Sequence, residues 1–221
     1  MSYQSFRPLA HHVLRFWYGG ALPGVNAAIS PEIYKRWYMG GLEFDNHIRE
    51  EFGMDLKFAM ENIDGWPDKF YDFDAENPHE ATASVIVLDQ FTRHLFRDSA
   101  VSFSADKHAQ ELADRFVETG VDVRAAQEIH PSAACLVYHP YMHSESLKLQ
   151  NKGIELLKQL IERTPANHPH QDLLQTSLEN FVKHKEVIEL FGRFPHRNDM
   201  LGRQSTPEEI QAVAKGMRFV V

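Results

Sequence analysis

At 221 residues, 43% of them hydrophobic and 24% charged, the chain is long enough to bury a sizeable core and too apolar for a disordered protein. A formal net charge of −8 argues against broad binding to nucleic acid or an anionic membrane and leaves only a local basic pocket as an option. The single cysteine, Cys135, excludes a disulfide framework or a cysteine metal cluster within one chain and suits a reducing, cytoplasmic setting.

The opening MSYQSFRPLAHHVLRFWYGG lacks the unbroken apolar run of a signal peptide, and no stretch reaches the roughly 18 apolar residues that would span a membrane. Helices are expected near residues 9–18, 31–39 and 43–61. Residues 62–77, with Gly65, Pro67 and four Asp, read as a loop. ASVIVL (83–88) alone would pass for a buried strand. Its surroundings favour a helix, since Asn77 is a cap, Pro78 fits the first turn and Glu80 completes the start. From there Leu88, Phe91 and Leu95 recur at helical spacing.

SADKHAQELADRFVETG is a helix between Ser104 and Gly120. SESLKLQNKGIELLKQLIE begins another at Ser144, and HQDLLQTSLENFVKHKEVIELFG a third that ends at Gly192, with RTPANHPH as the connection. Thr206, Pro207 and Glu209 form a capping box that opens a short last helix. Eight or nine helices and scarce strand signals predict an all-α single domain with antiparallel pairing of neighbouring helices. No repeat of fixed period and no domain boundary is visible.

Three constellations could carry chemistry. In LDQFTRHLFR, Asp89, Arg93 and Arg97 are spaced by four and share a helix face with Gln90 nearby. They make either an intrahelical pair on a solvated face or, if the helix is central, a buried set whose surplus positive charge needs a carboxylate or a bound anion. In YHPYMHSESL, His143, Ser144 and Glu145 stand where a helix should start. Ser144 is a natural cap there, while the trio also offers an acid or base, a hydroxyl and a carboxylate. The third is FGRFPHRN with its flanks: His184 shares a face with Phe181 and Ile188, and Arg193, His196, Arg197, Asn198 and Arg203 crowd one loop. Clustered arginines suit carboxylate or phosphate recognition, and equally suit the capping of helix carbonyls.

The 13 His are scattered, without HExxH or a Cys–His pattern, and no Gly-rich phosphate loop or GxSxG elbow is present, so no metal and no cofactor are expected. Cys135, in an apolar CLVY run, reads as core rather than nucleophile.

LDQFTRHLFR, YMHSES and FGRFPHRNDMLGRQSTPEE, together with HHVLRFWYGG, RWY (36–38) and FDNHIREEFG (44–53), resemble the family catalogued as domain of unknown function 924, over about residues 11–210. The resemblance implies a single helical domain of tetratricopeptide-like helix pairs and no established activity. Thr92 stands where the family typically has Pro, and His94 where it has Asn. The acidic loop at 64–77 and the segment 164–170 also depart from the pattern.

The resulting functional expectation is a polar pocket where the three motifs meet. Arg93, Arg97, Arg193 and Arg197 would bind a small anionic molecule, or the carboxylate of a peptide. His143 or His196 would move a proton, Glu145 or Asp89 would orient it, and Gln90 and Asn198 would bond neutral parts. Ser144, His184 and Arg203 complete the candidate set, and Trp17 and Trp37 would form another wall. Metal-free acid–base hydrolysis or acyl or aminoacyl transfer fits this inventory. Two alternatives stand beside it: a scaffold that binds peptides or a partner protein, and buried polar clasps without ligand. A homo-oligomer is compatible with either.

Overall fold

The computed structural model describes residues 4–216, and among these the protein is all-α. Ten helices follow one another: α1 (Arg7–Trp17), α2 (Pro31–Met39), α3 (Gly41–Glu61), α4 (78–95), α5 (Asp106–Glu118), α6 (Val121–Glu128), α7 (Pro131–Met142), α8 (Leu147–Arg163), α9 (Gln171–Phe191) and α10 (Pro207–Ala214). Short 3-10 turns at Ala100–Phe103 and Pro195–Arg197 join α4 to α5 and α9 to α10. The expected loop at 62–77 contains a two-residue strand, β2 (Tyr71–Asp72), paired in parallel with β1 (Gln4–Ser5). None of the described helices is long and apolar enough to cross a membrane.

Local signals place most helix ends. Asn77 accepts from the backbone N–H groups of His79 and Glu80, and the Thr206–Glu209 capping box is complete. Gly120 and Gly192, at φ 73° and 69°, adopt the left-handed conformation that lets a helix stop without a Cβ penalty. Two expected starts shift. The helix after Ser104 begins at Asp106, with Ala105 before it, because Ser104 instead closes the 3-10 turn. The helix expected from Ser144 begins at Leu147, because α7 runs on through Met142 and His143 is its C-cap. Neither α6 nor α7 is picked out by amphipathic spacing. Every residue of α7 is buried, so it carries no polar stripe for a periodicity to reveal.

Helices α4 and α7 are the centre of the molecule. Residues 80–94 of α4 are all buried. Helix α1 packs along α4, α6 and α8 pack on α7, and α9 packs on α8. One continuous core runs from Phe6 to Phe181, and a second, smaller one (Val187, Ile188, Phe194) lies beneath the turn after α9. Within α4, residues Ile86–Phe91 form a π-helical turn. Its extra residue per turn rotates the segment, so Leu88 and Phe91 do not oppose a solvated Asp89 face; all six residues are buried. Thr92 Oγ1 donates to the Leu88 carbonyl at 2.6 Å beside this turn.

Candidate functional site

The three sequence motifs converge on a cleft of about 1130 Å³ bounded by α2, α4, α7, α9, the 195–205 turn and α10. At its floor the π turn sets Asp89, wholly buried, against the C-terminus of α7. His143 Nδ1 donates to Asp89 Oδ1 at 2.8 Å, Gln90 Nε2 donates to Oδ2 at 2.5 Å, and Arg93 reaches the same carboxylate at 3.2 Å. Of the two readings of this set, burial excludes the solvated pair and leaves the buried one, with the i, i+4 pairing intact.

Of the two partners open to the surplus positive charge of the buried set, a carboxylate or a bound anion, the structure supplies carboxylates. Asp106, the first residue of α5, accepts Arg93 Nη2 at 2.8 Å and Arg197 Nη1 at 3.2 Å. Two carboxylates thus match two guanidinium groups. Arg197 also donates to the His143 carbonyl at 3.0 Å and lies between the rings of Phe103 and Phe194, 4.5 Å from each. Gln150 donates to the Met142 and Ser144 carbonyls, so with Arg197 on His143 the three carbonyls at and just past the end of α7 are satisfied by one amide and one guanidinium.

The other motif arginines are matched in the same way. Asp45 accepts Arg97 through both oxygens at 2.9 and 3.0 Å and His94 Nδ1 at 2.8 Å. Glu209 holds Arg193 through both oxygens, and Glu145 holds Arg203 likewise while accepting from the Phe194 N–H. These planar bidentate pairs tie the 193–203 segment to α10 and to the α7–α8 connection.

The electrostatics follow from burial among paired charges. Burial would raise the Asp89 carboxyl, but Arg93 and His143 hold it well below the ordinary carboxylate range. Burial, reinforced by Arg93, pushes the His143 imidazole down to about 3 despite Asp89. His196 is likewise lowered to about 4 by burial and Arg197, and His139 and His184 are also lowered, chiefly by burial. Burial lifts the Asp106 carboxyl above its ordinary value, opposed by the two guanidinium groups.

Hydrogen bonding sets the tautomers. His143 spends its Nδ1 proton on Asp89, His139 donates from Nδ1 to the Cys135 carbonyl at 2.8 Å, and His184 does so to the Asn180 carbonyl at 2.7 Å. All three neutral rings therefore carry the acceptor lone pair on Nε2, and all three line the cleft. Tyr38 Oη donates to His139 Nε2 at 3.3 Å.

Of the candidates read from sequence, Gln90, Arg93, Arg97, His143, His184, His196, Arg197 and Arg203 line the cleft. Asp89 lies directly behind His143, whereas Ser144, Glu145, Arg193 and Asn198 are away from the cleft surface. Ser144 Oγ accepts from the Ser146 N–H, and Glu145 orients Arg203 rather than a base. Trp17 and Trp37 do not form a wall: they stack at 5.5 Å in the core, where Trp37 Nε1 and Arg36 donate to the Trp17 carbonyl. Cys135 is buried, its thiol pushed up to about 12 by burial, as a core residue should be.

Sequence reading missed Asp106 and Asp45, whose roles depend on helix packing, and His139. The His139–His143 spacing of four within HPYMH was the available signal for the last of these.

Residues 13–217 match the family model described as "Bacterial protein of unknown function (DUF924)". The fold resembles the solved structure of a protein of unknown function, ATU0120, from Agrobacterium tumefaciens, at 28% identity and a TM-score of 0.72, over 96% of this chain and all of that one. No curated protein matches the sequence.

Proposed function

The chain belongs to the DUF924 family, and because neither the family description nor the Agrobacterium protein names an activity, we propose one from the cleft itself. It holds a small anionic molecule, and His143, oriented by Asp89, acts as general base in hydrolysis or in acyl or aminoacyl transfer. The observation that carries this reading is the buried Asp89–His143 pair at 2.8 Å with His143 on the cleft surface.

Because the imidazole is held neutral, its Nε2 lone pair is available throughout the neutral range. Protonation beside Arg93 is unfavourable until the substrate supplies compensating negative charge. In hydrolysis, water oxygen bonds to the substrate carbonyl carbon while its proton passes to Nε2. The bond to the leaving oxygen or nitrogen then breaks, and the same proton moves to the leaving group. In transfer, an acceptor hydroxyl or amine replaces water.

A second reading makes the motifs a frame that locks helix ends together. The pairing of Arg93, Arg193, Arg197 and Arg203 with internal carboxylates favours it for those residues. It does not account for three neutral imidazoles lining one cleft. A peptide-binding scaffold would present these groups along an open groove, whereas His143 and Arg197 are buried.

The test is hydrolysis of a panel of p-nitrophenyl esters and acyl p-nitroanilides by the wild type and by His143→Gln, with circular dichroism to verify folding. Loss of general-base catalysis should lower kcat by about 10²–10⁴-fold. Equal rates from a folded His143→Gln protein, or no wild-type rate above buffer, would remove the reading.

A further inference from the structure

Resting on that reading of the cleft as a substrate site, we propose that its occupant is an amphipathic monocarboxylate, with the carboxylate on Arg97 and the apolar body along Tyr34, Phe103, Met200 and Ile210.

The polar end of the cleft is defined by which guanidinium nitrogens the protein leaves open. Both terminal nitrogens of Arg93 are engaged by Asp89 and Asp106, and both of Arg197 by Asp106 and the His143 carbonyl. All three nitrogens of Arg203 are engaged, by Asn198, Glu145 and the Phe194 carbonyl. Arg97 differs. Asp45 takes Nε and Nη2, while Nη1 has no protein partner among the described residues, and the side chain is 23% exposed at the cleft. Arg197 Nε also lacks a partner but is buried, so Nη1 of Arg97 is the unpartnered donor that an anion can reach, held in place by a buried carboxylate that His94 also fixes.

The number of charges follows from the neighbours. Asp98 and Asp199 line the same cleft, are exposed, and form no ion pair among the described residues. A dianionic phosphate would meet two carboxylates with only the accessible Nη1 of Arg97 to offset them. A carboxylate brings a single charge that the Arg97 donor can satisfy.

The apolar half comes from α10. Its one buried residue is Glu209, which serves the capping box and Arg193. Its apolar residues Ile210, Val213 and Ala214 line the cleft instead of joining the core, and Ile210 is 60% exposed. With Tyr34, Phe103, Met142 and Met200 they give the cleft an apolar surface that an acetate-sized ion would leave uncovered. The neutral imidazoles of His139, His143 and His184 impose no charge on the part of the ligand between the two.

Isothermal titration with decanoate, acetate, decyl phosphate and decyltrimethylammonium, each below its micellar concentration, tests the proposal. Decanoate should occupy one site and bind at least about tenfold more tightly than the other three. Arg97→Gln should weaken decanoate by about tenfold and Arg97→Lys by less. Ile210→Asp, at an exposed position, should also weaken it, and thermal unfolding of each variant separates lost binding from lost fold. No decanoate binding, equal binding of the cation, or an unchanged affinity in both folded Arg97→Gln and Ile210→Asp would overturn it. Decanoate binding alongside full activity in His143→Gln would sink only the acid–base reading. Ester hydrolysis that depends on His143 without decanoate binding would sink only this one.

Discussion

Asp106 and Arg197, 91 residues apart, meet at 3.2 Å on the carboxylate oxygen that Arg93 leaves unoccupied. This contact joins the start of α5 to the turn after α9 and closes the charge balance beneath the cleft. Replacing Asp106 with Ala would leave Arg93 and Arg197 buried with Asp89 alone. Removing one partner of a buried pair costs about 3–5 kcal/mol, so Asp106→Ala should lower unfolding stability by that amount in a denaturant titration. The exposed Lys57–Glu61 pair is a control, and Lys57→Ala should change stability by less than about 0.5 kcal/mol.

Buried neutral histidines make the fold sensitive to acid. His143 and His170 are held near about 3, and His130 and His196 near about 4, mainly by burial. An unfolded histidine titrates near about 6.5, so below that pH the unfolded state binds more protons than the folded one. Their contribution to stability is complete above about 6.5 and is lost progressively as pH falls towards the folded values. Thermal unfolding between pH 7.5 and 4.5 should show Tm falling steadily below about 6.5; a flat profile over that interval would contradict the buried neutral state.

At Gly153, α8 packs tightly against Tyr141 of α7 and Phe181 of α9. A Cβ there would lie 2.9 Å from Tyr141 Cβ and 3.1 Å from Phe181 Cε1. Alanine improves helix propensity by about 1 kcal/mol, but overpacking typically costs about 1–3 kcal/mol. Because backbone-anchored Cβ atoms yield little, the clash should prevail. Gly153→Ala should unfold at lower denaturant concentration with an unchanged m-value.

Thr206 caps α10, the helix whose apolar residues line one side of the cleft. Its side chain accepts the Glu209 N–H at 3.3 Å, and Glu209 returns the bond to the Thr206 N–H at 2.7 Å while holding Arg193. Thr206→Ala should cost about 0.5–2 kcal/mol. The loss should appear as faster amide exchange within 207–214 while exchange in α7 is unchanged, and decanoate affinity should fall with it.

Local chemistry made much of this legible in advance. The Asn77 cap, the Thr206 box, the stop at Gly192 and the i, i+4 reach from Asp89 to Arg93 each depend on residues within one or two turns. The three motifs were recognisable by composition, and eight of the fifteen candidate residues reach the cleft. Helix α7 escaped because burial on all sides erases amphipathic spacing, and the π turn escaped because nothing local to Ile86–Phe91 announces an added residue.

The amino-acid sequence by itself determined an all-α protein, most of its helix ends, and the three polar motifs. Only the tertiary structure decided who those partners are. Asp45 and Asp106 are ordinary helix residues in sequence, and Glu209 is legible only as a cap; packing brings them to Arg97, to Arg93 and Arg197, and to Arg193. The same packing consigned Trp17 and Trp37 to the core and set His139, His143 and His184 around one cleft. The physical reason is range: caps and periodicity act over a few residues of chain, whereas a buried charge is balanced by whatever helix packs against it, however distant in sequence.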